Sequence, residues 1–515
     1  MTDVYELVQG AEKRLQSAFA RQEKIAFINE RRVLDALRAE PVSPRHFAPT
    51  EGYGYDDLGR DALDRVFARA LQTEDALVRP QIANGTHAIF LALSGLLEPG
   101  DVVFSASGRP YDTLETAVGL SGREPNALSR FGIEFRMADL RETGEEPFDL
   151  CAILQGIVGH PEVKMLYVQR SRGYAWRESI SVNKMTPLFQ KVKEVRPDII
   201  IAVDNCYGEF TEEQEPSAVG ADVMMGSLIK NCGGGIAPTG GYIAGRKDLI
   251  ERISYRLTVP GSGREVGSYA ASYRPFFQGL FLAPHTVLQC LKTAMLFGEV
   301  FDAMGYDVMP VGDRPRADIV ESIRFKEPKE LIAFCKAVQH ASPVDSDVTP
   351  EPWDMPGYTD PVIMAAGTFV QGATTELSAD GPIRPPYAVY MQGGLTYEHG
   401  KTGPPGGRSG GYGAEGGGGA MKKCILGLKA VCDDCGACED DRCELDPNKL
   451  CDNCYKCLEI TESYREIPIG RVLMDGSDSG ALYVLDPNEQ MEPEMDLTED
   501  QGDSTGSPDD LEWED

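Results

Sequence analysis

Between residues 61 and 250 the chain alternates two hydrophobic periods. In DALDRVFARAL, Leu63, Val66, Phe67 and Leu71 recur at three- and four-residue spacing, which predicts an amphipathic helix. NGTHAIFLALSGLL predicts a second helix, entered through Asn84 and Gly85, and NKMTPLFQKVKEV another. Short apolar runs stand among them: DVVFSAS, KMLYVQR, DIIIAVDN, ADVMMGS and GGYIAG. Unbroken apolarity over so few residues fits buried strands of a parallel sheet. The alternation predicts an α/β fold, with a large, doubly wound, mostly parallel-sheet domain over 61–285. GLFLAPHTVLQCLKTAMLFGEVFDAMG predicts a long, largely buried helix leaving that domain, and later strand and loop signals predict a smaller C-terminal α+β domain over 286–400. Residues 1–60 read as an N-terminal arm with a polar, amphipathic start.

Composition extends this picture. A chain of 515 residues with 42% hydrophobic content exceeds one compact core and fits two or three domains. The formal charge of −31 argues against nucleic acid and anionic membranes as partners. The start has no apolar signal-type core, and no run approaches 18 uninterrupted apolar residues, so the expected location is cytoplasmic with no membrane partner. Much of the charge is local. No lysine or arginine follows Arg471, and residues 466–515 read as a disordered acidic tail. KTGPPGGRSGGYGAEGGGGA reads as a Gly/Pro linker over 401–420.

Ligands of open α/β sheets bind beyond the carboxyl ends of the strands. DIIIAVDN ends on Asp204 and Asn205, ADVMMGSLIK runs out to Ser227 and Lys230, and the strand around Phe104 leads to Tyr111. The helix opening at NGTHA offers unpaired N–H groups at Gly85, Thr86 and His87, a natural phosphate site. Together these residues suggest a pyridoxal phosphate site. Lys230 supplies the amine that bonds the cofactor aldehyde, and Asp204 the carboxylate that keeps the pyridine nitrogen protonated. Gly85, Thr86 and Ser227 supply phosphate donors, and Tyr111 an aromatic face. Each also has a plainer reading: a solvated loop lysine, a turn aspartate, an ordinary helix cap, a core tyrosine. The glycines in GSLIKNCGGGIAPTGG read as room for the cofactor and for the movement of Lys230.

The stretches GYGYDDLGRD, QIANGTHAI, GRPYDTLE, VQRSRGYAWR, VDNCYGEF, GSLIKNCGGGIAPTGGYIAG, ELSADGPIRPPY and YMQGGLTYEHGK carry a family resemblance. From about residue 10 to 401 the chain resembles the methionine γ-lyase-like, or aluminium-resistance, family of fold type I pyridoxal-phosphate enzymes, related to cystathionine β-lyase. The resemblance implies the roles just given for Lys230, Asp204, Gly85, Thr86, Ser227 and Tyr111, with Tyr111 also acting in catalysis. It implies that Tyr55 and Arg60 (with Tyr53 beside them) reach the phosphate of a neighbouring subunit in a homodimer or homotetramer. Arg384 in GPIRPPY is the candidate for the substrate α-carboxylate, which a guanidinium fork suits. The implied reaction is carbon–sulfur bond cleavage in a sulfur-containing amino acid by β- or γ-elimination. It needs Lys230 neutral enough to take a proton from Cα, and it needs Asp204 ionised. The loop after Lys230 departs from that of better-known sulfur-amino-acid lyases, which leaves methionine itself weakly supported. Racemisation or deamination on the same scaffold is the alternative, as is a metal-binding protein with a vestigial enzyme body.

Thirteen cysteines divide unevenly. Cys424, Cys432, Cys435 and Cys438 form a C-x7-C-x2-C-x2-C set, and Cys443, Cys451, Cys454 and Cys457 repeat it. In a chain expected to be cytosolic, two such sets read as a metal module over 421–465, holding iron–sulfur clusters or zinc. The abrupt turn from TYEHGK into the linker, with Met421 opening the module, reads as a fusion of neighbouring reading frames.

Overall fold

The computed structural model describes residues 4–122, 124–141, 146–402, 442–443, 446–450, 472–474 and 482–484. Residues 1–410 form one unit. It opens with α1 (Val4–Ala39) and α2 (Leu58–Ala70), followed by β1 (Asp75–Arg79), α3 (Gly85–Leu96), β2 (Val102–Ser105), α4 (Asp112–Val118) and β3 (Glu134–Met137). Next come α5 (Leu150–Ile157), β4 (Val163–Gln169), α6 (Val182–Val195), β5 (Ile200–Asp204), β6 (Val223–Ser227), β7 (Gly241–Gly245) and α7 (Lys247–Leu257). The long helix α8 (Arg274–Ala303) leads to β8 (Asp307–Met309), β9 (Val320–Arg324), α9 (Pro328–His340), β10 (Val362–Ala365), β11 (Ser378–Pro382), β12 (Ala388–Gln392) and α10 (Tyr397–Thr402).

The first sheet has seven strands in the order β1-β7-β6-β5-β4-β2-β3. Strands β6, β5, β4, β2 and β3 pair parallel, while β7 runs antiparallel to both neighbours. The expectation that GGYIAG is one more parallel strand is therefore corrected. A parallel return needs a crossover element, and residues 228–240 hold only a 3-10 turn at Asn231–Gly233, so the chain doubles back beside β6. Both sheet faces are covered. Leu166 and Val168 of β4 join one apolar core while Met165 and Tyr167 join the other, which is why these strands read as unbroken apolar runs.

The second sheet, β10-β11-β12-β9-β8, is antiparallel throughout. Helix α9 packs Leu331, Phe334, Cys335 and Val338 onto it. Helix α8 runs through residue 285, so a continuous helix joins the two sheets. It is long and apolar enough to cross a membrane by composition alone, but most of its apolar stretch is buried inside this unit. Part of that cover is α1: Val8 and Ala11 pack on Leu296 and Val300, and Leu15 and Ala18 on Met295.

Residues 411–515 form a second unit. There Arg442–Cys443 pairs antiparallel with Asp446–Leu450, and Val472–Met474 with Leu482–Val484. The linker, nearly all of the acidic tail, and Cys424, Cys432, Cys435, Cys438, Cys451, Cys454 and Cys457 lie outside the described residues, and Cys443 is described by its backbone alone.

Candidate active site

The carboxyl ends of β4, β5 and β6 open into a cavity of about 440 Å3, closed by the start of α3, the start of α4 and the edge of the second sheet. Gly85, Thr86, Tyr111, Asp204, Ser227, Lys230 and Arg384 all line it. The sequence places these residues far apart, and the parallel crossovers bring their strand and helix ends together.

At one end stands the N-terminus of α3. Asn84 caps it, accepting the His87 N–H at 2.8 Å. Gly85 and Thr86 are then the first helical residues, whose N–H groups have no partner within the helix. A Cβ built on Gly85 would stand 2.9 Å from Cys206 Sγ and 3.5 Å from Ser227 Cβ. Ser227 is fully buried, and its Oγ has no hydrogen-bond partner among the described residues. An unpaired buried hydroxyl beside a helix N-terminus is costly unless an anion accepts a hydrogen bond from it. Thr86 Oγ1 meets Tyr111 Oη at 2.8 Å, and Gln169 Oε1 accepts the Tyr111 N–H at 3.0 Å, which fixes this tyrosine over the start of α4.

Asp204 ends β5 and is 2% exposed. Its Oδ1 accepts the Cys206 N–H at 3.1 Å. Burial pushes its carboxyl up to about 6, with the Cys206 bonds and Lys230 opposing. Burial thus outweighs the Lys230 charge, and the ionised carboxylate is disfavoured.

Lys230 lies just past β6, and its Nζ stands 3.8 Å from the centre of the Tyr207 ring. Burial pulls this ammonium down, but Tyr207, Cys206 and Asp380 outweigh it and leave Lys230 above its ordinary value. The protein groups around Lys230 therefore favour its charged form, against the expectation of a lysine neutral enough to act as base. The glycines that follow also have a different purpose from the one the sequence suggested. A Cβ on Gly233 would meet Leu228 O at 1.6 Å, one on Gly234 (φ 57°) would meet Gly279 O of α8 at 2.2 Å, and one on Gly235 would meet the Leu395 side chain at 2.2 Å. None of these neighbours lines the cavity. The glycines let the loop pack against itself and α8, and the cavity owes its space to other elements.

Of the three arginines on the cavity wall, Arg109 spans both oxygens of Glu115 and Arg172 binds Asp318, Met309 O and Ser322 Oγ. Among the described residues Arg384 makes a single side-chain bond, to Asp360 Oδ2 at 2.7 Å. Tyr55 and Arg60 are not brought to the cavity of their own chain. Tyr55 is exposed and stacked on Tyr53 at 5.4 Å, while Arg60 is buried and bonds Gly54 O and Asp61. Among the described residues no group of three or more His, Cys, Asp or Glu could hold a metal.

Sequence reading missed Tyr207 and Asp380, though both lie inside stretches it singled out, VDNCYGEF and ELSADGPIRPPY. Tyr174, Tyr358 and Tyr390 also line the cavity and were likewise given no role, although Tyr174 and Tyr390 lie in VQRSRGYAWR and YMQGGLTYEHGK.

The methionine gamma-lyase family model matches residues 4–403. The chain belongs to the methionine gamma-lyase family. As a member it is a pyridoxal-phosphate-dependent lyase. The chain is 50% identical over 381 residues to the Bacillus subtilis protein YnbB, covering 74% of this chain and 90% of that protein. A carbon-sulfur lyase involved in aluminum resistance from Clostridium novyi NT is 47% identical, with a TM-score of 0.74 over 78% of this chain and 94% of its own. A Listeria monocytogenes protein described as a candidate cystathionine beta-lyase involved in aluminum resistance is 47% identical, with a TM-score of 0.75 over 78% of this chain and 98% of its own.

Proposed function

We propose that the enzyme is a carbon–sulfur lyase, holding pyridoxal phosphate in this cavity and cleaving a sulfur-bearing amino acid by β- or γ-elimination. One observation carries the reading: the unpartnered Ser227 hydroxyl, beside Gly85 at a helix N-terminus, lines one cavity with Lys230 and the buried Asp204. The residues present fit the cofactor. Gly85, Thr86 and Ser227 would hold its phosphate, Asp204 its ring nitrogen, Tyr111 its ring face and Lys230 its aldehyde carbon. When bound, the cofactor supplies a sink for the electron pair left on the substrate Cα.

The chain's own residues bind, orient and move protons. Arg384, with donors to spare, takes the α-carboxylate. Lys230, once its amine is free and neutral, takes the proton from Cα. Tyr111 or Lys230 moves the further proton that γ-elimination requires. The balance is a thioether amino acid plus water giving a thiol, a 2-oxo acid and ammonia. Incubating the loaded enzyme with L-cystathionine and L-methionine tests this: equal release of the three products is expected. A D-isomer without thiol would mean racemisation, and oxo acid without thiol would mean deamination.

The exposed Tyr53–Tyr55 pair, with Leu58 exposed beside it, supports a homo-oligomer in which a second copy covers this face. The repeated C-x7-C-x2-C-x2-C spacing supports zinc or iron–sulfur binding by the cysteine module, which metal analysis of anaerobically purified protein tests.

A further inference from the structure

One wall of the cavity combines a carboxylate with four tyrosines. Tyr174 donates its hydroxyl to Asp380 Oδ2 at 2.6 Å. Its ring lies 5.2 Å from that of Tyr390 and 5.7 Å from that of Tyr358, tilted by 41° and 40°. Tyr207 packs into the same cluster. Asp380 on β11 stands directly across from Tyr390 on β12. All five residues line the cavity.

Asp380 forms no ion pair among the described residues, and neither does Asp112, a second carboxylate on the cavity wall. The arginines nearby are matched to other acids: Arg109 to Glu115, Arg172 to Asp318 and Arg384 to Asp360. Lys230 is the cation whose charge acts on Asp380. A half-buried carboxylate that loses its cation is disfavoured, and an aromatic wall around it attracts another from the same side. Lys230 already lies against the Tyr207 ring, so this wall accepts an ammonium. In the lyase reading the Lys230 amine is committed to the cofactor, which leaves Asp380 in want of a positive charge.

We propose that Asp380, with Tyr174, Tyr207, Tyr358 and Tyr390, forms a cation subsite, so that the enzyme takes amino acids whose side chain carries a second positive charge, a distal ammonium or a sulfonium, in preference to neutral thioethers. This rests on the lyase reading and narrows its substrate class.

The test is calorimetric binding to the full, cofactor-loaded chain. L-norleucine is the neutral probe, L-lysine the ammonium probe and S-methyl-L-methionine the sulfonium probe. At least one cationic probe is expected to bind about tenfold tighter than norleucine, and the tighter of the two identifies the preferred cation. Asp380→Asn, which keeps a hydrogen-bond partner for Tyr174, is expected to bring all three within about twofold of one another. Tyr358→Leu removes one ring and spares the charge, and it is expected to cost the cationic probe about threefold. Equal binding of neutral and cationic probes by the wild type overturns the subsite. So does a preference that survives both substitutions. The lyase reading is judged separately by thiol release. A cation preference lost in Asp380→Asn without thiol release from any substrate would leave the subsite standing and sink the lyase assignment. Absence of binding by all three probes would overturn the subsite and leave the lyase reading to the thiol assay.

Discussion

The Lys230 ammonium rests 3.8 Å from the centre of the Tyr207 ring, and Tyr207 holds that ring in place from a left-handed backbone at φ 69°. A bulky residue in that region costs on the order of 1–2 kcal/mol. The surrounding structure overrides this cost: Asn205 beside it is tied to Arg170 and Glu215. Strain kept next to the reactive amine is a positional device, since the ring fixes where the amine stands.

Tyr207→Phe retains the ring and is expected to keep kcat within about threefold of wild type. Tyr207→Leu removes the face and lets the amine wander. A displacement near 1 Å costs up to about 100-fold in rate, so kcat should fall roughly 10- to 100-fold while KM moves far less. Steady-state kinetics of the two variants decide it. An equal loss in both would assign the effect to the hydroxyl.

Asp204 links cofactor binding to stability. Its folded pKa of about 6 lies above the unfolded value of roughly 3.9. The folded, cofactor-free protein therefore binds more protons between these values. The stability this provides is complete below about pH 4 and is lost as pH rises through 6. The penalty at pH 8 is on the order of 2–3 kcal/mol. Asp204→Asn removes it. The cofactor-free variant is thus expected to be more stable than wild type at pH 8 and little changed at pH 4, while binding the cofactor more weakly. Denaturant unfolding of both cofactor-free proteins at the two pH values measures this. Asp380, also near 6, and Glu209, near 8, are raised by burial in the same direction, so the variant keeps a residual slope.

Gly85 is the narrowest point of the cradle. The Cβ of Gly85→Ala meets Cys206 Sγ at 2.9 Å and touches Ser227 Cβ at 3.5 Å. Overpacking of this kind costs about 1–3 kcal/mol. Adding Cys206→Ala removes the worst contact, so the double variant should regain most of the lost stability. The added methyl still occupies the cradle, so cofactor affinity should stay low. Recovery of both stability and affinity would mean that Gly85 serves packing alone.

Much of this site was legible in the sequence because strand ends announce themselves. Asp204 and Ser227 close apolar runs, Lys230 follows one, and Asn84–Gly85 opens a helix. Strands β2, β4, β5 and β6 followed from such runs, and so did β7 apart from its direction, which depends on how the chain returns from the Lys230 loop, while β1 and the partly exposed β3 were not read from the sequence. The glycines after Lys230 were misread because sequence shows missing side chains without showing what approaches: Gly234 faces the α8 backbone. Asp380 and the tyrosine wall were missed for another reason. Tyr174, in the turn after β4, and Asp380, on β11 of the other sheet, meet across 206 positions of chain, and no local period encodes such a contact.

Arg384 offers the sharpest division between binding and chemistry. Its guanidinium is about one-third exposed at the cavity wall, bonds Asp360, whose pKa it lowers, and also acts on the Asp112 carboxylate. A second face of the fork remains for a substrate carboxylate, where paired N–H donors match paired oxygens. Arg384→Lys keeps the charge and loses the fork. It is expected to raise KM about 10- to 100-fold with kcat changed by less than about threefold, the pattern of a contact made equally in ground and transition states. Asp360→Asn frees the guanidinium without removing it, so its KM should stay within about threefold of wild type. A fall in kcat at unchanged KM in Arg384→Lys would show that Arg384 holds the cavity wall in shape and that another group receives the carboxylate.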